Sequence, residues 1–169
     1  YRAEMLEKIS ERVSHAAKLK QEMKRRTPKL FLDITVYEGN YHEILKIIEK
    51  GSKLGVEAIN LHRIFNLHDP RHRMLDEASE TKLFEEVRRL AEKLGMEVIL
   101  PKTHEMPCRI AKYCIFVTWD FQVTPCCFLP EETLAEGPAV KVKDVVKSKA
   151  YKEFMKNMAT HPICSKCRI

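Results

Sequence analysis

The sequence has no cysteine before Cys108, so all six cysteines lie between positions 108 and 167. This excludes a thiolate metal site in the opening part of the chain. No apolar run approaches the ~18–20 residues of a membrane span, which argues against a membrane partner. No segment has the regions of a signal peptide. We therefore expect a cytoplasmic protein, in which clustered cysteines bind metal or do redox chemistry more often than they form disulfides.

The net charge of +6 is concentrated at one end of the chain. Residues 1–30 carry nine Lys and Arg against four Glu, and the rest of the chain is close to balanced. The basic run could bind nucleic acid, but no aromatic side chains interleave with it. The pattern favours a solvated helix face over an RNA-binding surface.

Both ends of the chain look cut. An apolar stripe of helical spacing begins at Met5 and Leu6, almost at the first residue, and the chain stops two residues after Cys167. We interpret the sequence as a piece of a larger protein.

Helices and strands alternate up to about Pro101. The periodicity predicts helices at about 2–26, 41–53 and 81–94, and strands at about 30–36, 56–65 and 96–100. The segment Lys53–Ile59 recurs further along the chain as Lys93–Ile99, with helix, glycine and strand in phase. A repeat of this kind indicates consecutive βα units with parallel strands.

Three such units are too few to close an eight-stranded barrel. The predicted fold class is therefore α/β, with later βα units of a partial TIM-like barrel over residues 1–101. Residues 102–169 are predicted to form a second domain, a small β-hairpin plus a helix that binds a metal or cluster.

Polar side chains alternate along the first two predicted strands. Asp33, Thr35, Asn60 and His62 should share one face, and Ile59 and Leu61 the other. Parallel strands that are buried on both sides are normally apolar throughout. The four polar residues either face a substrate or cofactor in a polar lumen or only hydrogen-bond one another.

A polar loop follows the second predicted strand and contains His68, Asp69, Arg71, His72 and Arg73. In barrel enzymes, sites form at the C-terminal ends of the strands. Together with His62, these residues could contact a substrate or cofactor or bind a second metal, but an exposed polar loop is the favoured interpretation.

The tail changes character after Pro101. Residues Ile110–Cys127 are rich in β-formers and predict a hairpin whose turn lies at Asp120–Gln122. A helix over Asp144–Met158 should then lead the chain to Cys164 and Cys167.

The cysteines of the tail follow the pattern C-x17-C … C-x2-C, formed by Cys108, Cys126, Cys164 and Cys167. Cys126 and Cys127 point to opposite sides of an extended chain, so only one of them should be a ligand. Cys114 is predicted to be a small buried side chain within the strand. Four thiolates can hold Zn²⁺ or an iron–sulfur cluster, and a single CxxC knuckle weakens the zinc interpretation.

The tail from Cys108 through Trp119–Cys127 to Cys164–Cys167 resembles the auxiliary-cluster domain, called twitch or SPASM, of radical S-adenosylmethionine enzymes. Thr35-Val36, Asn40, Glu43-Ile44 and Gly55-Val56 resemble the second half of their barrel. The family pattern in the tail is CX9–15GX4C. Twelve residues separate Cys108 from Phe121 and four separate Phe121 from Cys126, so the spacing here fits that pattern.

The resemblance implies that Cys108, Cys126, Cys164 and Cys167 ligate one auxiliary [4Fe–4S] cluster, which transfers electrons to or from a substrate radical. It also implies S-adenosylmethionine, a second [4Fe–4S] cluster and the N-terminal half of the barrel in the full-length parent. The reductant is expected to be a ferredoxin or flavodoxin.

Two departures from the family pattern matter. Phe121 stands at the glycine position, and the CxxxCxxC motif of the S-adenosylmethionine cluster is absent. The chain should therefore be inactive as an enzyme on its own. The alternative is a non-enzymatic, zinc-stapled binding module that binds RNA through its basic first helix.

Overall fold

The computed structural model describes residues 3–64, 72–102 and 104–168. The chain is a mixed α/β protein that divides into two units, Tyr1–Lys102 and Thr103–Ile169. Helices α1 to α6 and strands β1 to β6 follow one another in the order α1 Ala3–Glu22, β1 Phe31–Val36, α2 Ile44–Lys53, β2 Ala58–Arg63, α3 Glu77–Leu94, β3 Glu97–Ile99, α4 Arg109–Tyr113, β4 Phe116–Val117, β5 Gln122–Thr124, β6 Ala135–Glu136, α5 Val142–Val145 and α6 Lys149–Asn157. Within the described ranges, no helix is both long and apolar enough to cross a membrane.

The first unit is built on a three-stranded parallel sheet in the order β1-β2-β3. Phe31 of β1 pairs with Ala58 of β2, which in turn pairs with Glu97 of β3. This confirms the predicted parallel βα units. The predicted strand spans are longer than the observed ones by up to two residues at each end.

One face of this sheet carries the core of the unit. Ile34 and Val36 of β1 and Ile59 and Leu61 of β2 are buried against helix side chains that include Ile48 of α2. Val87 of α3 is also fully buried in this cluster. The residues of β1 and β2 that face the core are therefore those predicted from the alternation in the sequence.

Helix α1 ends four residues earlier than predicted. Lys24 adopts a left-handed conformation at φ 51°, and the Arg25 N–H bonds back to the Lys20 carbonyl at 3.0 Å. This hydrogen bond closes the helix as in a Schellman motif, in which the left-handed residue is normally glycine. Because the apolar spacing continues to Met23, the sequence pattern predicts a longer helix.

Helix α1 approaches the turn between α2 and β2 at Gly55. Gly55 has φ 86°, and a Cβ atom built there would lie 2.5 Å from the Cβ of Ala17. Both the positive φ and the lack of space require glycine at this position.

Helix α3 begins at Glu77, four residues before the predicted start. The Asp76 carboxylate accepts the Ser79 N–H at 2.9 Å and caps the helix. The first turn of α3 also brings Glu80 to Arg63, whose Nε donates to both carboxylate oxygens at 2.8 Å. Arg63 Nη1 donates in addition to the Lys102 carbonyl at 2.7 Å. This pair ties the end of β2 to α3 and to the segment that follows β3.

Glu57 is a carboxylate whose ionisation stabilises the first unit. Its hydrogen bond from Lys20 and, next, the one from the Leu30 N–H lower the pKa of Glu57 below the usual 4.5. A lowered folded-state pKa means that the stabilisation is present above about pH 4.5 and is lost as the pH falls through the folded value. The Glu57 side chain is 41% exposed, so solvent screens the pair.

We therefore expect Glu57→Gln to remove a small part of the acid sensitivity of unfolding. The loss on going from pH 7 to pH 3 should shrink by about 0.2–0.5 kcal/mol, as for a screened pair. Urea unfolding of both proteins at the two pH values measures this difference. An unchanged pH dependence in the variant would contradict the assignment.

The second unit contains a three-stranded antiparallel sheet in the order β4-β5-β6. Val123 pairs with Val117 on one side and with Ala135 on the other. The predicted hairpin is present but short, because β4 has only two residues. Strand β6 lies between the predicted hairpin and the predicted helix, where no strand was expected.

Two expectations for the second unit were wrong. Arg109–Tyr113 is helix α4 and not the first part of the hairpin strand, since Ala111 is buried on one side of a single helical turn. The helix predicted over Asp144–Met158 is broken after Val145. Ser148 restarts it by accepting the Tyr151 N–H at 3.1 Å, which makes Ser148 the N-cap of α6.

Candidate metal centre

The four candidate cysteines come from three separate segments of the second unit. Cys108 precedes α4, Cys126 follows β5, and Cys164 begins a short 3₁₀ turn that ends just before Cys167. The Cys167 N–H bonds to the Cys164 carbonyl at 3.1 Å and closes the CxxC knuckle.

Burial separates these four cysteines from the other two. Cys108, Cys126, Cys164 and Cys167 are half-buried, whereas Cys114 and Cys127 are exposed. The prediction that Cys114 is buried was wrong, because Cys114 follows the last residue of α4 and Ala111 occupies the buried position instead. The exposed Cys127 next to the half-buried Cys126 agrees with the expectation that only one of the two is suited to be a ligand.

The thiols of three segments are close enough to influence one another electrostatically. Burial, with Cys127 and Cys108 as smaller causes, raises the pKa of Cys126 to about 11. Burial likewise raises the pKa of Cys164 to about 11, with Cys167, Cys108 and Glu132 as further causes. Cys108 thus contributes to the raised pKa of both Cys126 and Cys164.

The surroundings of these sulfurs match what a thiolate-bound group requires. The Phe128 N–H points to Cys126 Sγ at 3.5 Å, and the Cys108 N–H donates to Met158 Sδ at 3.2 Å. Half-buried thiols with raised pKa values are protonated at neutral pH, so binding of a metal or cluster would release protons. The donor set fits a soft metal or an iron–sulfur cluster.

The described residues do not form a complete coordination shell for a metal ion. Over residues 3–64, 72–102 and 104–168, no three Cys, His, Asp or Glu side chains stand together as they would around one metal ion. The ligand set of Cys108, Cys126, Cys164 and Cys167 therefore stays a prediction.

Phe121 has the backbone conformation that the family pattern assigns to glycine. Its φ is 63°, and its ring is 52% exposed at the tip of the β4–β5 hairpin. A left-handed conformation costs a residue with a Cβ about 1–2 kcal/mol. The turn therefore keeps a glycine-like geometry although the glycine is missing.

Because of this cost, we expect Phe121→Gly to stabilise the hairpin. The hairpin should gain about 0.5–1 kcal/mol in stability. This is less than the strain that is removed, because glycine loses more conformational entropy than phenylalanine when the chain folds. Phe121→Ala is the matched control, because alanine loses the ring and keeps the Cβ. Slower hydrogen exchange at the Thr118 N–H, which bonds to the Gln122 carbonyl at 2.9 Å, would reveal the gain. Equal exchange in both variants would contradict the strain argument.

In the first unit, the four polar residues of β1 and β2 lie on the sheet face opposite the core. Asp33 pairs with Asn60 and Thr35 with His62. Asp33 Oδ1 accepts a hydrogen bond from Asn60 Nδ2 at 2.9 Å and lies 2.7 Å from His62 Nε2. The side chains of Asp33, Asn60 and His62 are therefore brought together by hydrogen bonds, and Thr35 shares their face of the sheet. Their role towards a substrate or cofactor stays a prediction.

The polar loop after β2 is described only in part. His68, Asp69 and Arg71 lie outside the described residues. The His72 ring meets the ring of Tyr37 edge-on at 5.2 Å, and Arg73 Nε lies 3.9 Å from the Glu38 carboxylate.

Two comparisons with known proteins bear on this centre. Residues 108–168 match the SPASM family, an iron–sulfur cluster-binding domain. The structure is similar to that of Streptococcus suis SuiB bound to S-adenosylmethionine, with a TM-score of 0.62 and 13% sequence identity. The similarity covers 93% of this chain and 42% of that chain, so this chain spans less than half the length of that protein. No curated protein matches the sequence.

The matched segment begins at Cys108 and includes all six cysteines. The tail is thus a SPASM-type iron–sulfur domain, within a chain whose fold is shared with a protein that binds S-adenosylmethionine. The match of the tail agrees with the predicted auxiliary iron–sulfur domain, and the similarity to SuiB shows a shared fold.

Proposed function

Given an iron–sulfur domain at residues 108–168, we propose that this chain is the C-terminal part of a radical S-adenosylmethionine enzyme. Its tail holds one auxiliary [4Fe–4S] cluster through Cys108, Cys126, Cys164 and Cys167. The observation that carries the proposal is that these four cysteines of the matched segment are half-buried, while Cys114 and Cys127 are exposed.

The cluster would supply one-electron chemistry. Four cysteine ligands leave no iron open to a substrate, so its role is electron transfer to or from a substrate radical and not substrate binding. The half-buried thiols and the nearby N–H groups of the tail provide the low-dielectric, hydrogen-bonded surroundings that tune such a centre.

The remainder of the enzyme is proposed to lie outside this chain. The parent supplies the N-terminal half of a partial TIM-like barrel, the CxxxCxxC motif with its own [4Fe–4S] cluster, and the S-adenosylmethionine site. This chain has no cysteine before Cys108 and should not catalyse the reaction alone. We place the protein in the cytoplasm, where a ferredoxin or flavodoxin acts as the reductant.

The polar face of β1 and β2 is proposed to line the reaction chamber. Asp33 Oδ1 accepts from Asn60 Nδ2 and from His62 Nε2, and Thr35 pairs with His62 in the register. The core helices pack on the other side of the sheet, so these side chains are left to contact the substrate or S-adenosylmethionine.

Anaerobic purification followed by reconstitution with iron and sulfide tests the proposal. The protein should be brown and contain about four iron atoms and four sulfides per chain, as one [4Fe–4S] cluster requires. A colourless protein with one zinc per chain and no iron would overturn it in favour of the zinc-stapled module. Radical chemistry is tested separately in the full-length protein, where S-adenosylmethionine cleavage should depend on the upstream cluster.

A further inference from the structure

His161 lies three residues before Cys164, the first residue of the knuckle. It accepts hydrogen bonds from backbone N–H groups in and next to the knuckle. The ring atom Nδ1 accepts from the N–H groups of Ile163 and Cys164, each at 3.3 Å. The carbonyl of His161 accepts from the Ser165 N–H at 3.0 Å. Three consecutive N–H groups of the segment that carries Cys164 therefore bond to this one residue.

These contacts determine where the ring proton resides. Nδ1 accepts hydrogen bonds and carries no proton, so the proton is on Nε2, which donates to Glu132 Oε1 at 3.1 Å. The ring is held further by Phe154, whose centroid lies 5.8 Å away edge-on, and the His161 side chain is only 16% exposed.

Glu132 connects this arrangement to the segment of Cys126. The Leu129 N–H bonds to the Cys126 carbonyl at 3.0 Å, and the Glu132 N–H bonds to the Leu129 carbonyl at 3.2 Å. Two successive turns thus run from Cys126 to Glu132. The hydrogen bond between Glu132 and His161 then links the segment of Cys126 to the segment of Cys164, which are far apart in sequence.

We infer that His161 and Glu132 are positioning residues that hold the Cys164 knuckle at a set place relative to Cys126. His161 fixes the backbone of the knuckle through Nδ1, and Glu132 fixes the ring and its tautomer through Nε2. Hydrogen-bonded partners behind the ligands orient metal sites in this way. The inference rests on the proposed function for its consequence, since it is cluster binding that requires the knuckle to be held.

Glu132 has a second effect that a purely structural role would lack. Its carboxylate lies 3.1 Å from Nε2 of the same imidazole ring whose Nδ1 accepts the Cys164 N–H at 3.3 Å, so one ring separates this negative charge from the knuckle. A negative charge beside an iron–sulfur centre disfavours the added electron. Glu132→Gln should therefore shift the reduction potential of the bound cluster to a higher value.

Two amide variants separate the two contacts of the ring. In His161→Asn, the side-chain carbonyl can occupy the place of Nδ1 and accept from the knuckle, but it cannot reach Glu132. In His161→Gln, the amide can reach Glu132 but leaves the place of Nδ1 without an acceptor. Glu131→Gln is the matched control for Glu132→Gln, since Glu131 is exposed and lies next to it.

Hydrogen exchange in the metal-free protein is the first measurement. The Ile163 and Cys164 amides should exchange about fivefold faster in His161→Gln and His161→Ala, on the scale of one net hydrogen bond, and near the wild-type rate in His161→Asn. The Leu134 amide, bonded to the Val123 carbonyl at 2.7 Å, reports whether the unit is still folded. Unchanged exchange at residues 163 and 164 in His161→Gln would overturn the inference.

Cluster loading is the second measurement. Iron per chain after reconstitution should fall at least twofold in both His161→Gln and His161→Asn, because each variant loses one of the two contacts that hold the knuckle relative to Cys126. The potential should move in Glu132→Gln and not in Glu131→Gln. If the wild-type chain takes up no iron, the proposed function fails, and the exchange measurement still decides whether His161 holds the knuckle. Equal iron content in all variants together with an unmoved potential would also overturn the inference.

Discussion

Cys108→Ser is expected to leave the protein without its iron–sulfur cluster. Cys108 is one of the four predicted ligands, so its loss leaves the proposed cluster with only three thiolates. Iron per chain after anaerobic reconstitution should fall from about four to below one. Colour and sulfide content should fall in parallel, because the hydroxyl of serine is a poor ligand for iron in such clusters.

Two controls make this result specific. Cys114→Ser should keep full iron content, because Cys114 is exposed at the end of α4. Cys127→Ser should also keep it, whereas Cys126→Ser should not. A Cys127→Ser protein without cluster, or a Cys108→Ser protein with a complete one, would show that the ligand set is wrong.

Glu80→Gln is expected to cause the largest loss of stability in the first unit. The side chains of Arg63 and Glu80 are 12% and 7% exposed, and both carboxylate oxygens accept from Arg63 Nε. Removing the charge of one partner breaks this nearly buried ion pair, and breaking a buried pair typically costs about 3–5 kcal/mol. We expect the low end of that range, about 3 kcal/mol in the free energy of unfolding, because the glutamine can still accept one hydrogen bond.

Glu85→Gln on the same helix is the matched control. Glu85 is exposed, so its substitution should change stability by less than about 0.5 kcal/mol. Urea unfolding followed by circular dichroism compares both variants with the parent chain. If the two midpoints agree, Arg63 and Glu80 do not stabilise the unit as a buried pair. A Glu80→Leu/Arg63→Met double variant should recover most of the loss, since apolar side chains then replace both members of the buried pair.

The first unit could be predicted from sequence because its signals are repeated and long. The recurrence of Lys53–Ile59 as Lys93–Ile99 indicated the parallel strands. The alternation of polar and apolar residues along the strands indicated the face that carries Asp33 and Asn60. The errors lie at element ends. Asp76 starts α3 early and Lys24 ends α1 early, since a single capping hydrogen bond decides each end and leaves little trace in periodicity.

The second unit was harder to predict because its elements are too short to have a period. Strand β6 has two residues and α4 has five, so tertiary contacts decide both. The cysteine spacing located the centre, but nothing in that spacing distinguished the exposed Cys114. The pairing of His161 with Glu132 was also missed. Its only sequence signal is a histidine three residues before a CxxC, and its partner is 29 positions away.

The contact of Ala17 with Gly55 limits the positions in which α1 can pack against the turn between α2 and β2. A helix that packs through long side chains can slide by a turn and repack, but here one small residue meets one residue without a side chain. Moving α1 by a single turn would bring the larger Val13 or Gln21 to Gly55, in the place where the Ala17 methyl group now packs against the glycine. The pair therefore allows α1 one docking position, and Lys20 reaches Glu57 only in that position.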